Sequence, residues 1–192
     1  MRIDEWSSHS RYPEGHYVRT LGEIGDIETE SESILIEHSV PHYSFPESVL
    51  QCLPPPDFTI SEEEVSRRTD LRHLCICSVD PPGCRDIDDA LHARSLPNGN
   101  IEVGVHIADV TYFLHDGSAM DVEAAKRATT VYLVNKRIDM VPKLLSENLC
   151  SLREKVDRLT FSVVWEVNSD AEVISRRFFK SVIRSRAALS YG

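Results

Sequence analysis

Between positions 80 and 89 the chain reads Asp-Pro-Pro-Gly-Cys-Arg-Asp-Ile-Asp-Asp. Asp80, Asp86, Asp88 and Asp89 put four carboxylates into ten residues, with Arg85 the one basic residue among them. A single pair of like charges roughly 4 Å apart costs about 4 kcal/mol at an effective dielectric of about 20. That is equivalent to about three pKa units. If these side chains converge, they must hold protons or hold cations. Two Mg²⁺ ions would balance the four charges, and short, rigidly placed oxygen ligands suit a hard cation. The alternative is a flexible acidic loop that converges on nothing.

The flanks favour the metal. Leu74, Cys75, Ile76, Cys77 and Val79 form an apolar run that predicts a buried strand. Pro81-Pro82-Gly83 forces a tight turn after Asp80, one able to fold Asp86 back toward it. Ala90 to Ser95, the turn Pro97-Asn98-Gly99-Asn100, and Ile101 to Val110 predict a hairpin. Ile101, Val103, Val105 and Ile107 share one of its faces, and Glu102, Gly104, His106 and Ala108 the other. Rigid placement of repelling charges is costly unless a cation offsets it. An EF-hand is excluded, because a loop starting at Asp86 has Leu91 at position six and Pro97 at position twelve. Hard-metal carboxylate sites chiefly serve phosphoryl and phosphodiester chemistry. From chemistry alone, a nuclease and a phosphatase of small substrates both remain open.

The rest of the chain sets the context. Its 192 residues suffice for one domain, or a domain plus a fragment, and 41% hydrophobic with 27% charged residues reads as soluble and globular. No run approaches the ~20 apolar residues of a membrane helix, and the N-terminus has no apolar signal core, so it reads as internal to a chain. The five cysteines form no Cys-x-x-Cys pair, which predicts reduced thiols inside a cell and no zinc. A net charge of −10 argues against a nonspecific nucleic-acid coat, though not against a nuclease.

Gly15 to Ile27 and Ser33 to Val40 read as two short strands, like the end of a small β-barrel. Proline-rich residues 41–57 read as a linker. Ser61 opens a helix through a capping box with Glu64, and Ser118 caps another. The charges of the first, Arg67 and Arg68 included, read as a solvated face. Thr129 to Val134 is strand-like, and Leu159 to Val167 and Val173 to Ile183 read as paired strands. His106 is a candidate substrate group, with a structural histidine as the alternative. Tyr132 is a candidate for stacking a base, with a core tyrosine as the alternative. Arg176, Arg177, Lys180, Arg184 and Arg186 offer a phosphate track or a solvated strand edge.

Four stretches together carry a family resemblance: Asp80 to Leu91, Gly104-Val-His-Ile-Ala-Asp-Val110, Thr130-Val-Tyr-Leu133 and Asn148-Leu-Cys-Ser-Leu152. In order and spacing the chain resembles the ribonuclease II / ribonuclease R (RNB) family, nearest its exosome-type catalytic subunits. Residues 11 to about 50 look like the tail of the cold-shock OB domain that precedes the RNB domain. The resemblance implies an α+β chain in three parts. A partial cold-shock OB β-barrel spans residues 1–50, and a proline-rich linker with a short helix spans 51–72. The first part of a mixed α/β RNB catalytic domain spans 73–192.

The activity implied is processive 3′→5′ hydrolysis of RNA to 5′-mononucleotides with Mg²⁺. The metal-binding and catalytic carboxylates would be Asp80, Asp86, Asp88 and Asp89, with Asp88 the least replaceable. Tyr132, and His106 beside it in the assignment, would contact RNA. The implied partners are single-stranded RNA and the RNA exosome core subunits, with no membrane, in the nucleus and cytoplasm. The family's RNB domain continues past residue 192, which implies that this chain is a piece of a longer protein. An RNA-binding or exosome-associated module without catalysis is the alternative.

Overall fold

The computed structural model describes residues 1–191. In chain order its elements begin with strands β1 (Arg2–Glu5) and β2 (Glu14–His16), then helices α1 (Ile27–Glu37), α2 (Glu47–Leu50) and α3 (Glu62–Ser66). Strands β3 (Thr69–Asp70), β4 (Cys77–Asp80), β5 (Asp89–Ser95) and β6 (Ile101–Ala108) follow, then helix α4 (Ala119–Arg127). The short strands β7 (Val131–Tyr132) and β8 (Arg137–Ile138) precede a π-helical turn at Leu144–Leu149. The chain ends in β9 (Asp157–Val167), β10 (Val173–Arg184) and β11 (Ala187–Ser190).

These elements form two compact units: residues 1–43 with 132–138, and residues 44–131 with 139 onward. In the first, β1 and β2 pair antiparallel. The stretch expected as a strand, Ser33 to Val40, is instead mostly helix α1. Asp26 is the reason. Its carboxylate accepts the backbone N–H of Glu28 at 3.1 Å and Thr29 at 3.0 Å, filling two donors that a helix start leaves open. Ser31 and Leu35, one turn apart, then share the buried face, with Leu35 only 1% exposed. Of the strand expected over Gly15 to Ile27, only Glu14–His16 forms.

The second unit is built on a seven-stranded mixed sheet of order β11-β4-β5-β6-β9-β10-β3. The expected hairpin is β5–β6, in register from Asp89↔Ile107 to Ser95↔Ile101. The expected strand pair is β9–β10, antiparallel from Val173↔Val167 to Arg184↔Asp157. The two edges of the sheet pair in parallel, β11 on β4 and β3 on β10. Half of the expected capping box at Ser61 forms: Ser61 Oγ accepts from Glu64 N at 3.2 Å, while the Glu64 carboxylate turns to Arg68. The proline-rich stretch is no free linker. Val49 is 2% exposed, and Phe45, Leu53 and Phe58 pack against the core of Leu71, Leu74, Ile76, Ile87, Met120 and Leu152.

The two faces of β6 are separated as the alternation requires, but the polar one faces inward. Glu102 is 7% exposed and His106 0%, whereas Ile101 and Ile107 are more than 40% exposed. Period-two patterning assigns residues to faces without saying which face is covered. Hydrogen bonds make the polar choice tolerable.

Candidate metal and nuclease centre

The site begins where β4 ends. Asp80 is the last residue of that strand, and the turn beyond it closes with Cys84 N donating to Pro81 O at 3.1 Å. Gly83 takes φ +81, a left-handed conformation that a side chain would strain. The loop then returns to β5, which starts at Asp89. Its far end is pinned to β6 by Ala108 N donating to Asp88 O at 2.9 Å. Ile87, 5% exposed, anchors its middle in the core. The sequence thus alternates a buried Ile87 with side chains that stay at or near the surface.

The four carboxylates occupy one neighbourhood. Burial, and then the charges of Asp88 and Asp80, raise the pKa of Asp89. Burial, and then the charges of Asp86 and Asp80, raise that of Cys84, whose thiol lies 3.7 Å from Asp86 Oδ1. Asp80 Oδ2 is shut from solvent with no hydrogen-bond partner. A cavity of about 290 Å³ opens beside it, walled by Asp80, Cys84, Ile87, Leu189 and Ser190.

Yet among the described residues no three His, Cys, Asp or Glu side chains close around a single point. The charges interact, but the cage is open. The fit to a divalent cation lies in the donor chemistry, which is all carboxylate oxygen. It lies also in Asp80 Oδ2, since a buried carboxylate oxygen without a donor invites a cation or a proton.

The other two expected site residues, Tyr132 and His106, lie on strands. Tyr132 lies on β7, in the first unit, and is 66% exposed. His106 offers no surface to a strand of RNA, so the expected direct contact is corrected. Its Nε2 lies 2.8 Å from His92 Nδ1 and its Nδ1 2.7 Å from Ser162 Oγ. His92 Nε2 reaches Glu102 Oε1 at 3.3 Å. Burial would raise the pKa of Glu102, but bonds from Arg94 and His92 outweigh it and hold the carboxyl ionised.

An ionised carboxylate only accepts, and with a single proton on the His92 ring this sets the direction of the relay. His92 donates from Nε2, His106 donates from Nε2 to His92, and Ser162 donates to His106. Gly104 makes the room, since a Cβ there would sit 2.2 Å from His92 Cε1. Burial, reinforced by the neighbouring His92, lowers the His106 pKa to about 4, so the ring is neutral near pH 7.

Sequence reasoning missed a second buried charge cluster. Arg68, read as part of a solvated helix face, has a side chain only 2% exposed. It pairs with Glu64 at 2.5 Å and with Asp109 at 2.7 Å. Burial pushes Asp109 up, but bonds from Thr111, Arg68 and Lys180 more than reverse that. The signal available was Asp109 closing the strand Val-His-Ile-Ala-Asp, a buried strand end that must find a cation.

Set against known proteins, residues 68–192 match the RNB domain and residues 1–39 the Dis3-like cold-shock domain 2. The mouse exosome complex exonuclease RRP44 is 61% identical over 189 residues, which is 98% of this chain and 20% of that protein. The chain therefore spans about a fifth of the length of the curated relatives it matches. Among solved structures, Mycoplasma genitalium RNase R in complex with double-stranded RNA superposes with a TM-score of 0.86 at 25% identity. That match covers 98% of this chain and 33% of the RNase R chain. Yeast Ssd1, a pseudonuclease, superposes with a TM-score of 0.83 at 28% identity, covering 98% of this chain and 24% of its own. The matched span holds the aspartate loop, the hairpin behind it and the strand pair that completes the sheet, and on that span the chain belongs to the RNB-domain family.

Proposed function

We propose that this chain carries the first half of the active site of a 3′→5′ exoribonuclease. In this reading single-stranded RNA is hydrolysed to 5′-mononucleotides with Mg²⁺, in association with the RNA exosome core in the nucleus and cytoplasm. The observation that carries the reading is the 61% identity to an exosome exonuclease, running through the aspartate loop. Asp80, Asp86, Asp88 and Asp89 would hold Mg²⁺. When bound, such ions stabilise the attacking and leaving oxygens of a phosphodiester displacement and acidify a water.

The chain's own residues do the rest. The Pro81–Gly83 turn and the Asp88–Ala108 bond hold the carboxylates on a rigid frame, so little reorganisation remains when substrate arrives. Asp80 Oδ2, already dehydrated, needs no water stripped from it before binding a cation. Tyr132 presents an exposed ring on which the terminal base can stack.

The pseudonuclease among the structural neighbours supports a second reading, an RNA-binding module without catalysis. Digestion of labelled RNA by the intact protein, with and without Mg²⁺, separates the two. The expected result is stepwise 3′ shortening that requires Mg²⁺ and stops in Asp88→Asn, with RNA affinity retained. Joint loss of affinity and cleavage in that variant, or a preference for mononucleotides over RNA, would overturn the exoribonuclease reading.

A further inference from the structure

One conspicuous motif remains unassigned, Asn148-Leu-Cys-Ser-Leu152. It emerges from the π-helical turn and runs beneath the aspartate loop. Ser151 is 1% exposed and Leu152 0%. Three hydrogen bonds join them to the loop. Ser151 Oγ donates to Arg85 O at 2.7 Å and accepts from Ile87 N at 3.3 Å. Leu152 N donates to Ile87 O at 2.8 Å. One hydroxyl thus uses its donor and one acceptor lone pair on the two peptide groups that straddle Asp86.

Ser151 is itself held from behind. Arg158, 8% exposed, donates from Nε to Ser151 O at 2.8 Å. Its other nitrogens reach Asp157 O at 2.9 Å and Asn148 Oδ1 at 3.4 Å. Arg153 also donates to Asn148 Oδ1, at 2.6 Å. A buried guanidinium thereby engages the carbonyls of Ser151 and Asp157 and the amide oxygen of Asn148 instead of a carboxylate. Its pKa falls to about 10, chiefly through burial. Such a placement makes sense if the group's task is to hold backbone, since a planar fork of N–H donors fixes several oxygens at once.

We propose that Ser151 is a positioning residue for the divalent-cation site, with Arg158 its clamp. The bridge sets the separation of Asp86 from Asp88 and Asp89, and so determines whether these carboxylates and Asp80 can share a cation. The inference rests on the exoribonuclease reading. Groups that orient metal ligands without touching the metal commonly change affinity 10- to 100-fold when removed, by order of magnitude.

The test uses Ser151→Ala in the intact protein, which deletes one oxygen and adds nothing to a packed site. Calorimetric titration with Mg²⁺ is expected to show affinity weakened by about tenfold. The Mg²⁺ concentration for half-maximal cleavage should rise in parallel, while RNA affinity stays constant and kcat recovers at saturating Mg²⁺. Backbone exchange at Ile87 N–H should quicken. Ser151→Thr, which keeps the hydroxyl, should restore Mg²⁺ affinity if it folds, and Arg158→Lys should give an intermediate loss. Unchanged Mg²⁺ affinity in a folded Ser151→Ala protein would overturn the positioning role alone. An unsubstituted protein that binds no Mg²⁺ would overturn the functional reading, and the positioning role with it, whatever the Ile87 exchange shows.

Discussion

At the scale of single residues, the relay from Glu102 through His92 and His106 to Ser162 links stability to pH. Unfolded, His106 takes a proton near its ordinary pKa of 6.5; folded, it resists until about 4. Between those values the unfolded chain binds more protons, so stability is fully present above 6.5 and falls as pH drops toward 4. The difference amounts to about 3 kcal/mol at the acid end of that window. Glu102, held ionised by Arg94 and His92, gives up its own contribution only at lower pH. Urea midpoints measured at about pH 7 and about pH 5 should therefore separate, and His106→Gln should flatten the slope between them. An unchanged slope in that variant would remove His106 as its source. The sequence placed His106 and Gly104 on one face of a strand, but their roles were illegible. Nothing in the spacing says that His92, fourteen residues earlier, stacks in the space Gly104 leaves.

Among the elements, legibility followed the strength of local signals. The Asn98-Gly99 turn, the Ser61 and Ser118 caps and the prolines after Asp80 each bias the backbone directly, and each formed where expected. Ile34-Leu35-Ile36 did not, because a short apolar run fits a strand or a helix equally well. There the decision lay upstream, in the Asp26 cap. Asp26→Ala should therefore loosen α1 by about 1 kcal/mol, or about fivefold in the exchange of its backbone N–H groups. Asp26→Asn, which still accepts, should leave exchange close to that of the unsubstituted protein. Equal exchange in all three would show that packing of Leu35, and not the cap, selects the helix. The same limit applies to the sheet. Alternation in β6, β9 and β10 was readable, but the covered side was not, because a polar face can be buried once its bonds are satisfied.

For the molecule as a whole, the aspartate loop adds local repulsion to a chain already at −10. That the carboxylates are neighbours was legible from the turn and the flanking strands. That they stop short of a closed cage was not, because side-chain convergence depends on the cation as much as on the backbone. The consequence is a stability that divalent ions should control. Asp89, its pKa raised first by burial and then by Asp88 and Asp80, is ionised at a cost to the fold near neutral pH. Removing charge there should help the ion-free protein, so Asp88→Asn combined with Asp89→Asn is expected to melt higher than the unsubstituted chain without Mg²⁺. Adding Mg²⁺ should reverse the order. At about 100 times its Kd, a ligand bound only by the folded state contributes about 2.7 kcal/mol. In a chain of this size that raises the midpoint by roughly 5–10 °C. The doubly substituted chain, lacking two donors, should gain little. Thermal melts of both proteins, with Mg²⁺ and with chelator, check the crossing directly. Parallel shifts would mean that Mg²⁺ acts through general screening of the acidic surface, and that the loop holds no ion of its own.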